Sequence, residues 1–290
     1  MNYKDGKWAK KITGLQRDDG SWGYFHSLSN PVAANRMTTE QALRRLQALG
    51  FTIDDSVIKQ AVNYLDNCLT GKTKPPDRGE KNHNWKVYTE LMLSAWIRIF
   101  TDKNAGANQT AAKWRAIIET SFAGGKYDHD NYIRNFENVL KIKFNPRAGR
   151  LADFVHFYIV SLLTNTLDKK IEPLFFKYIL EHKTGIYYVY GKKLTDLPKI
   201  FQSKGTDNYL AAIELLANYK NPECKKQLAF IAKWLNQNRL ETNKWDLGKQ
   251  AKDDIHLPLS DSWRTAESRI QDCSYRIGWL LNQIKYVENQ

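Results

Sequence analysis

The sequence predicts an all-α fold, and three observations carry that expectation. Apolar residues recur at helical spacing in nearly every stretch between breakers. Helix-starting residues and helix-ending glycines bracket those stretches. A tryptophan or tyrosine mark also recurs inside the helices, at Trp8, Tyr64, Trp114, Tyr178 and Trp234, at intervals of 50 to 64 residues. Each interval holds one helix pair with its loops. Such a unit cannot bury both its faces alone, so the units must stack into one domain spanning residues 1–290. A stack of this kind closes into a ring or stays an open solenoid.

The elements follow in order. Trp8–Leu15 reads as a short amphipathic helix with Trp8, Ile12 and Leu15 on its apolar face. Thr38-x-x-Gln41 is a capping box. It opens a helix with Ala42, Leu43, Leu46 and Leu49 on one side and Gly50 just past its end. Asp54 or Asp55 caps the next helix, whose face is Val57, Ile58, Ala61, Val62, Leu65 and Leu69, closed by Gly71. Thr70–Asn84, with Pro75, Pro76 and Gly79, is a surface loop. Trp85–Phe100 is apolar nearly all round, the pattern of a helix buried on most sides.

Thr110–Phe122 is helical and runs into a corner at Gly124-Gly125-Lys126-Tyr127-Asp128. Asn131–Leu140 is a shorter helix, broken at 145–149. Leu151–Leu167 is the most apolar helix expected, and so an inner one. Ile171–His182 follows, with Pro173 tolerated in its first turn. Thr184–Asp207 is long and irregular, as lids and insertions are. Thr206 or Asp207 caps Asn208–Tyr219, and Asn221 leads into a helix over Pro222–Asn238. Arg239–Gly248 closes with Trp245-Asp246-Leu247-Gly248. Asp261 or Ser262 caps the last helix, Trp263–Ile284.

The most specific stretch is Gln16-Arg17-Asp18-Asp19-Gly20-Ser21-Trp22-Gly23. A glycine on each side of Trp22 lets the backbone turn sharply and leaves room for the ring. Asp18 and Asp19 suit free N–H groups in such a turn, and Gln16 suits a neighbouring helix end. This Q-x-x-D-G-S-W-G corner resembles the QW motif of the terpenoid cyclase and prenyltransferase (squalene cyclase-like) superfamily. The resemblance implies an α/α toroid of about five to six helix pairs in two concentric rings. It implies a central cavity that binds an isoprenoid-like or other apolar ligand, with prenyltransferase- or terpene-cyclase-like chemistry if the protein is an enzyme. Neither catalytic signature of the superfamily is intact. No D-x-D-D occurs, and Asp272 and Cys273 are adjacent with no later histidine, which does not complete a zinc ligand set. No metal and no cofactor is therefore expected.

Composition narrows the classes. The chain has 290 residues, 42% hydrophobic and 26% charged, ordinary for a globular protein. Its net charge of +13 is scattered in pairs such as Lys10/Lys11 and Arg44/Arg45, without the block or module of a nucleic-acid binder. Cys68, Cys224 and Cys273 form no paired motif, which fits a reducing compartment. The beginning of the chain has no apolar run, and the most apolar stretch, 154–167, falls short of the roughly 20 residues of a spanning helix. A cytoplasmic location without a membrane span is expected. The 12% aromatic content suits pinned corners, a lined cavity or plain core packing.

Candidate site residues follow from polar groups on apolar helices. Asp153 and His156, three apart, would share a face and act as an acid pair. Asp272, the third catalytic candidate, would face Arg276 one turn later, with Arg269 beside it, either in the cavity or as a tie from the last helix to the first. Trp85, Trp96, Tyr209, Trp263, Arg264 and Arg276 are the expected ligand contacts. Glu90 and Glu214 are further cavity candidates. Two other readings stand beside the ligand-binding one. One is a non-catalytic scaffold for a protein or peptide partner. The other is a carbohydrate-active α/α barrel with paired carboxylates.

Overall fold

The computed structural model describes residues 3–26, 37–77, 79, 84–149 and 151–285. Part of the expected Thr70–Asn84 loop lies outside the described residues. The helices are α1 (Lys7–Thr13), α2 (Thr39–Ala48), α3 (Ser56–Leu69), α4 (Trp85–Phe100), α5 (Ala105–Ser121), α6 (His129–Leu140), α7 (Phe157–Leu162), α8 (Glu172–Glu181), α9 (Lys204–Ala217), α10 (Pro222–Lys226), α11 (Ala229–Gln237) and α12 (Ala266–Lys285). Two isolated bridges are the β pairing found among the described residues. One apolar core runs from Tyr3 to Ile284. No described helix is long and apolar enough to cross a membrane.

The five aromatic marks fall in α1, α3, α5, α8 and α11. Each of these helices runs into a corner of one design. A backbone N–H bonds the carbonyl three residues earlier, at Gly20, Gly71, Gly125, Gly185 and Asn243. All five residues hold positive φ, between 60° and 90°. In four corners an aromatic residue stands two places later: Trp22, Tyr127, Tyr187 and Trp245. The first and last corners match in detail. Trp22 Nε1 donates to the Ile12 carbonyl at 2.8 Å, and Trp245 Nε1 donates to the Leu235 carbonyl at 2.8 Å, each ten residues back.

The first corner is built somewhat differently from expectation. Asp19 accepts from Ser21 N, while Asp18 is exposed. Gln16 donates to the carbonyls of Gly20 and Val57, so it binds the corner to the first turn of α3. The glycines make room for other groups than the Trp22 ring. A Cβ on Gly20 would meet the Gln60 carbonyl at 2.4 Å, and one on Gly23 would meet the Arg17 guanidinium at 2.9 Å.

Helix α4 packs against α3, α5 and α7; α7 packs against α9, and α9 against α12. The end of the chain is also bound to its beginning. Asp261 accepts from Lys7 N at 2.7 Å and so caps α1, not its own helix. Trp8 Nε1 donates to the Ser260 carbonyl, and the buried Arg45 donates to the carbonyls of Ile255 and Pro258. Tyr3 donates to Asp272.

Local code set several elements. The Thr38–Gln41 capping box forms in both directions. Helix α4 has the expected bounds, capped by Asn84. Others depart from expectation. Leu15 is exposed, and α1 ends before it. Asp55 precedes α3 but does not cap it; its carboxylate takes Thr52 N and the Lys4 ammonium. Helix α9 starts at Lys204, capped by the Ser203 hydroxyl, which leaves Asp207 inside the helix. The expected Pro222–Asn238 helix breaks into α10 and α11, and Gln227 turns aside to bond the Pro173 carbonyl.

The largest correction is at 151–167, where Phe157–Leu162 alone is helical. Phe157 N bonds the Tyr187 carbonyl and Tyr187 N bonds the Val155 carbonyl, both at 3.1 Å. Residues 154–156 thus exchange helical bonds for a parallel bridge. At the far end Asn165 adopts positive φ and binds both Asn218 O and Lys220 N.

One buried acid yields a pH prediction. Glu172, 4% exposed in the first turn of α8, has an oxygen with no hydrogen-bond partner among the described residues. Burial pushes its carboxyl from 4.5 up to about 7. Between those values the native state keeps a proton that the unfolded chain has released, so stability falls as pH rises through that window. The loss is at most ~3 kcal/mol. The Glu172→Gln variant is expected to exceed the native chain in urea-unfolding stability at pH 8 and to match it near pH 4.5. Equal differences at both pH values would contradict this account.

Candidate functional site

A cavity of about 220 Å³ lies among α2, α7, α9 and α12. Its walls are mainly apolar: Ala48, Phe157, Val189, Ala211, Leu215 and Leu259. Its mouth carries Gln47, Gly50 and Asn218, with Tyr275 and Trp279 from one face of α12. These two rings are 45% and 39% exposed, large for aromatic side chains beside a cavity. Helical spacing explains the shared face, since Trp279 is four residues after Tyr275.

The floor is charged. Arg276 on α12 donates Nε and Nη2 to Glu214 on α9, at 2.6 and 3.0 Å, and Nη1 to Asp207, about two turns earlier on the same face of α9. Burial pushes the Arg276 pKa down, but Glu214 and Asp207 more than reverse this and hold the guanidinium charged. Asp207 is fully buried. Desolvation lifts its carboxyl to about 6 against the pull of Arg276. Beside it lies the loop 253–256. His256 Nδ1 meets Asp253 Oδ2 at 2.7 Å, while Asp253 Oδ1 accepts the backbone N–H groups of Ile255, His256 and Leu257. Burial opposes ionisation of Asp253, but these bonds hold its pKa well below the ordinary range.

A second polar group lies behind the cavity. Glu40, fully buried on α2, accepts from Tyr158, Trp96 and Arg44 at 2.8, 3.2 and 3.1 Å. Burial raises its pKa, and Arg44, His26 and Tyr158 outweigh that and keep it ionised. Arg44 in turn stacks over the Phe157 ring, 3.8 Å from its centroid, at the cavity wall. Tyr88 and Tyr188 share a hydroxyl bond nearby.

The expected site residues scatter. Asp153 is not on a helix with His156; it accepts from Val155 N and lies 3.5 Å from His182 Nε2, half exposed. His156 is buried before α7, its ring edge-on to Tyr158. Asp272 does not face Arg276. It is saturated by Tyr3, Leu259 N, Ser260 N, the Ser260 hydroxyl and Trp263 Nε1, so it ties the last helix to the loop before it and to Tyr3. Arg269 pairs with Asp246 instead.

Trp96 is fully buried on Glu40, and Tyr209 is buried on the Leu194 carbonyl. Trp85 packs on Tyr88 away from the cavity lining, Trp263 is held by Asp272, and Arg264 is exposed. Glu90 faces α5 through Lys113 and Thr110. Arg276 and Glu214 do line the cavity.

Sequence reasoning missed Asp207, Asp253 and His256. The spacing Asp253-x-x-His256 inside a polar loop was the signal available for two of them. Comparison with protein-family models, curated proteins and solved structures finds no match to this chain.

Proposed function

We propose that the five helix pairs form an α/α toroid and that its cavity binds a small molecule with an apolar body and a polar end. Support for the ring comes from the repeated corner, from the inner series α2, α4, α7, α9 and α12, and from the bonds joining the end of the chain to α1 and α2. The observation that carries ligand binding is the cavity itself, with apolar walls from four helices over a floor of paired charges. At about 220 Å³ it is smaller than the roughly 300–1,000 Å³ of pockets for drug-sized ligands. A short isoprenoid-like ligand fits that description. A diphosphate head fits less well, because Arg44 and Arg276 are both already neutralised by Glu40 and Glu214.

The test is a thermal-shift panel of short isoprenoid alcohols, their diphosphates and small sugars. A ligand that binds the folded form raises the unfolding midpoint according to its affinity. Leu215→Trp should fill the cavity and abolish the shift. A shift that persists in that variant, or none across the panel, would count against the cavity. The scaffold reading is favoured by one observation: Tyr187, Leu197 and Ile200, all in the irregular segment before α9, are each exposed.

A further inference from the structure

We propose that Asp207, Asp253 and His256 form a divalent-metal site at the edge of the cavity. The three side chains each offer one ligand atom, and these atoms lie within 4.8 Å of one another. The two carboxylates are arranged alike. Asp253 Oδ1 is held by three backbone N–H groups, and its Oδ2 points to His256. Asp207 Oδ1 is held by Arg276, and its Oδ2 has no hydrogen-bond partner among the described residues although the residue is fully buried. Each acid thus has one oxygen anchored by the protein, while the second oxygen is unpartnered among the described residues in Asp207 and turned to the His256 ring in Asp253. Anchored ligands of this kind are the usual outer support of a metal site. A buried carboxylate oxygen without a partner calls for a proton, a water or a cation. The proton shared by His256 and Asp253 stands where the cation would enter.

The donor set selects the ion. One imidazole and two carboxylates suit the manganese-to-zinc range, with no thiolate to favour softer metals. Cys273, whose neighbourhood does not complete a zinc ligand set, is buried, and burial pushes its pKa up to about 12. Charge is compatible as well. Glu214 and Asp207 both pair with Arg276, and Asp253 lies beside Asp207 with Arg45 acting on it, so an added dication meets three carboxylates against two guanidinium groups. Three protein ligands leave further positions for water or for a polar group of a molecule in the cavity, the arrangement of catalytic rather than structural sites. His256 lines the cavity, so that open side faces the ligand space.

The experiment needs no organic ligand, so its failure and that of the cavity reading are separate. The full chain is stripped with chelator, dialysed and titrated with Mn²⁺, Zn²⁺ and Co²⁺ by calorimetry. One ion per chain is expected. His256→Ala and Asp207→Asn should each weaken binding about tenfold or more, in the range seen when metal-site residues are altered. His129→Ala should leave it unchanged. A second measurement uses the native chain alone, in case a variant fails to fold. Trace Mn²⁺ should broaden the ring resonances of His256 before those of the other five histidines. No binding by the native chain, equal binding by His256→Ala, or uniform broadening would overturn the assignment.

Discussion

Arg276→Ala is expected to cost about 3–5 kcal/mol of stability, the range for removing one partner of a buried ion pair. The arginine is 7% exposed and serves two carboxylates at once, Glu214 through two nitrogens and Asp207 through a third. Its loss leaves Asp207 fully buried without the guanidinium that pairs with its Oδ1. The pair itself adds little net stability, because taking three charges out of water offsets their attraction. The cost therefore lies in the charges left behind. Two controls separate these contributions. Arg276→Leu together with Asp207→Leu and Glu214→Leu removes all three charges and should recover most of the loss. Arg276→Lys keeps a charge but not the fork that engages two acids, and should fall between. The series is best measured by urea unfolding with chelator present, so that no cation replaces the guanidinium. A loss below about 1 kcal/mol for Arg276→Ala would mean that water reaches Asp207 and that the floor is not dry.

The Arg276 network also shows where sequence reasoning stops. Its partners lie 62 and 69 residues away. Within the helix, Asp272 stands one turn before Arg276, and the i,i+4 rule pairs them. Both found other partners because each points to a different neighbour: Asp272 to the loop before α12, Arg276 across to α9. Local rules see neither. The same holds for Asp207: an acid near a helix start has a local use as a cap, and its remote use is invisible to local rules.

What was legible depended on interactions of short range. The Thr38–Gln41 box and the bounds of α4 are encoded within a few residues, and both formed. The five aromatic marks were legible because the repeat writes the same local geometry five times. The stretch 151–167 departs from the expected helix because its apolar run suits one, while the strand-like partner that competes for residues 154–156 comes from Tyr187. The cavity follows the same division. That apolar helices would supply its walls was readable in part: α7 and α9 do, while α4, apolar nearly all round, contributes no lining residue. Which charged residues meet at its floor was not, since those contacts join α9, α12 and the 253–256 loop.

Gly20→Ala is the second substitution with a large expected effect, about 2–6 kcal/mol. Two separate costs contribute. At φ of +90° an alanine pays roughly 1–3 kcal/mol of backbone strain. Its Cβ would also sit 2.4 Å from the Gln60 carbonyl oxygen and 2.7 Å from the carbonyl carbon, atoms of the α3 backbone that cannot rotate away. Moving a helix aside to relieve such overlap costs a further ~1–3 kcal/mol. The glycines of this chain allow the two costs to be measured apart. Gly50 has φ of +89° and nothing within 4 Å of a built Cβ, so Gly50→Ala should show the strain alone. Gly124 has neither feature, and Gly124→Ala should stay within about 1 kcal/mol of the native chain. The expected order is Gly20, then Gly50, then Gly124, read from urea midpoints at constant slope. If Gly20→Ala and Gly50→Ala cost the same, the contact with α3 carries no energy. The first corner would then be a turn that happens to lie near α3, not the joint that fixes the first helix pair against the second. That outcome would remove the physical basis for reading the repeated corners as the frame of the fold.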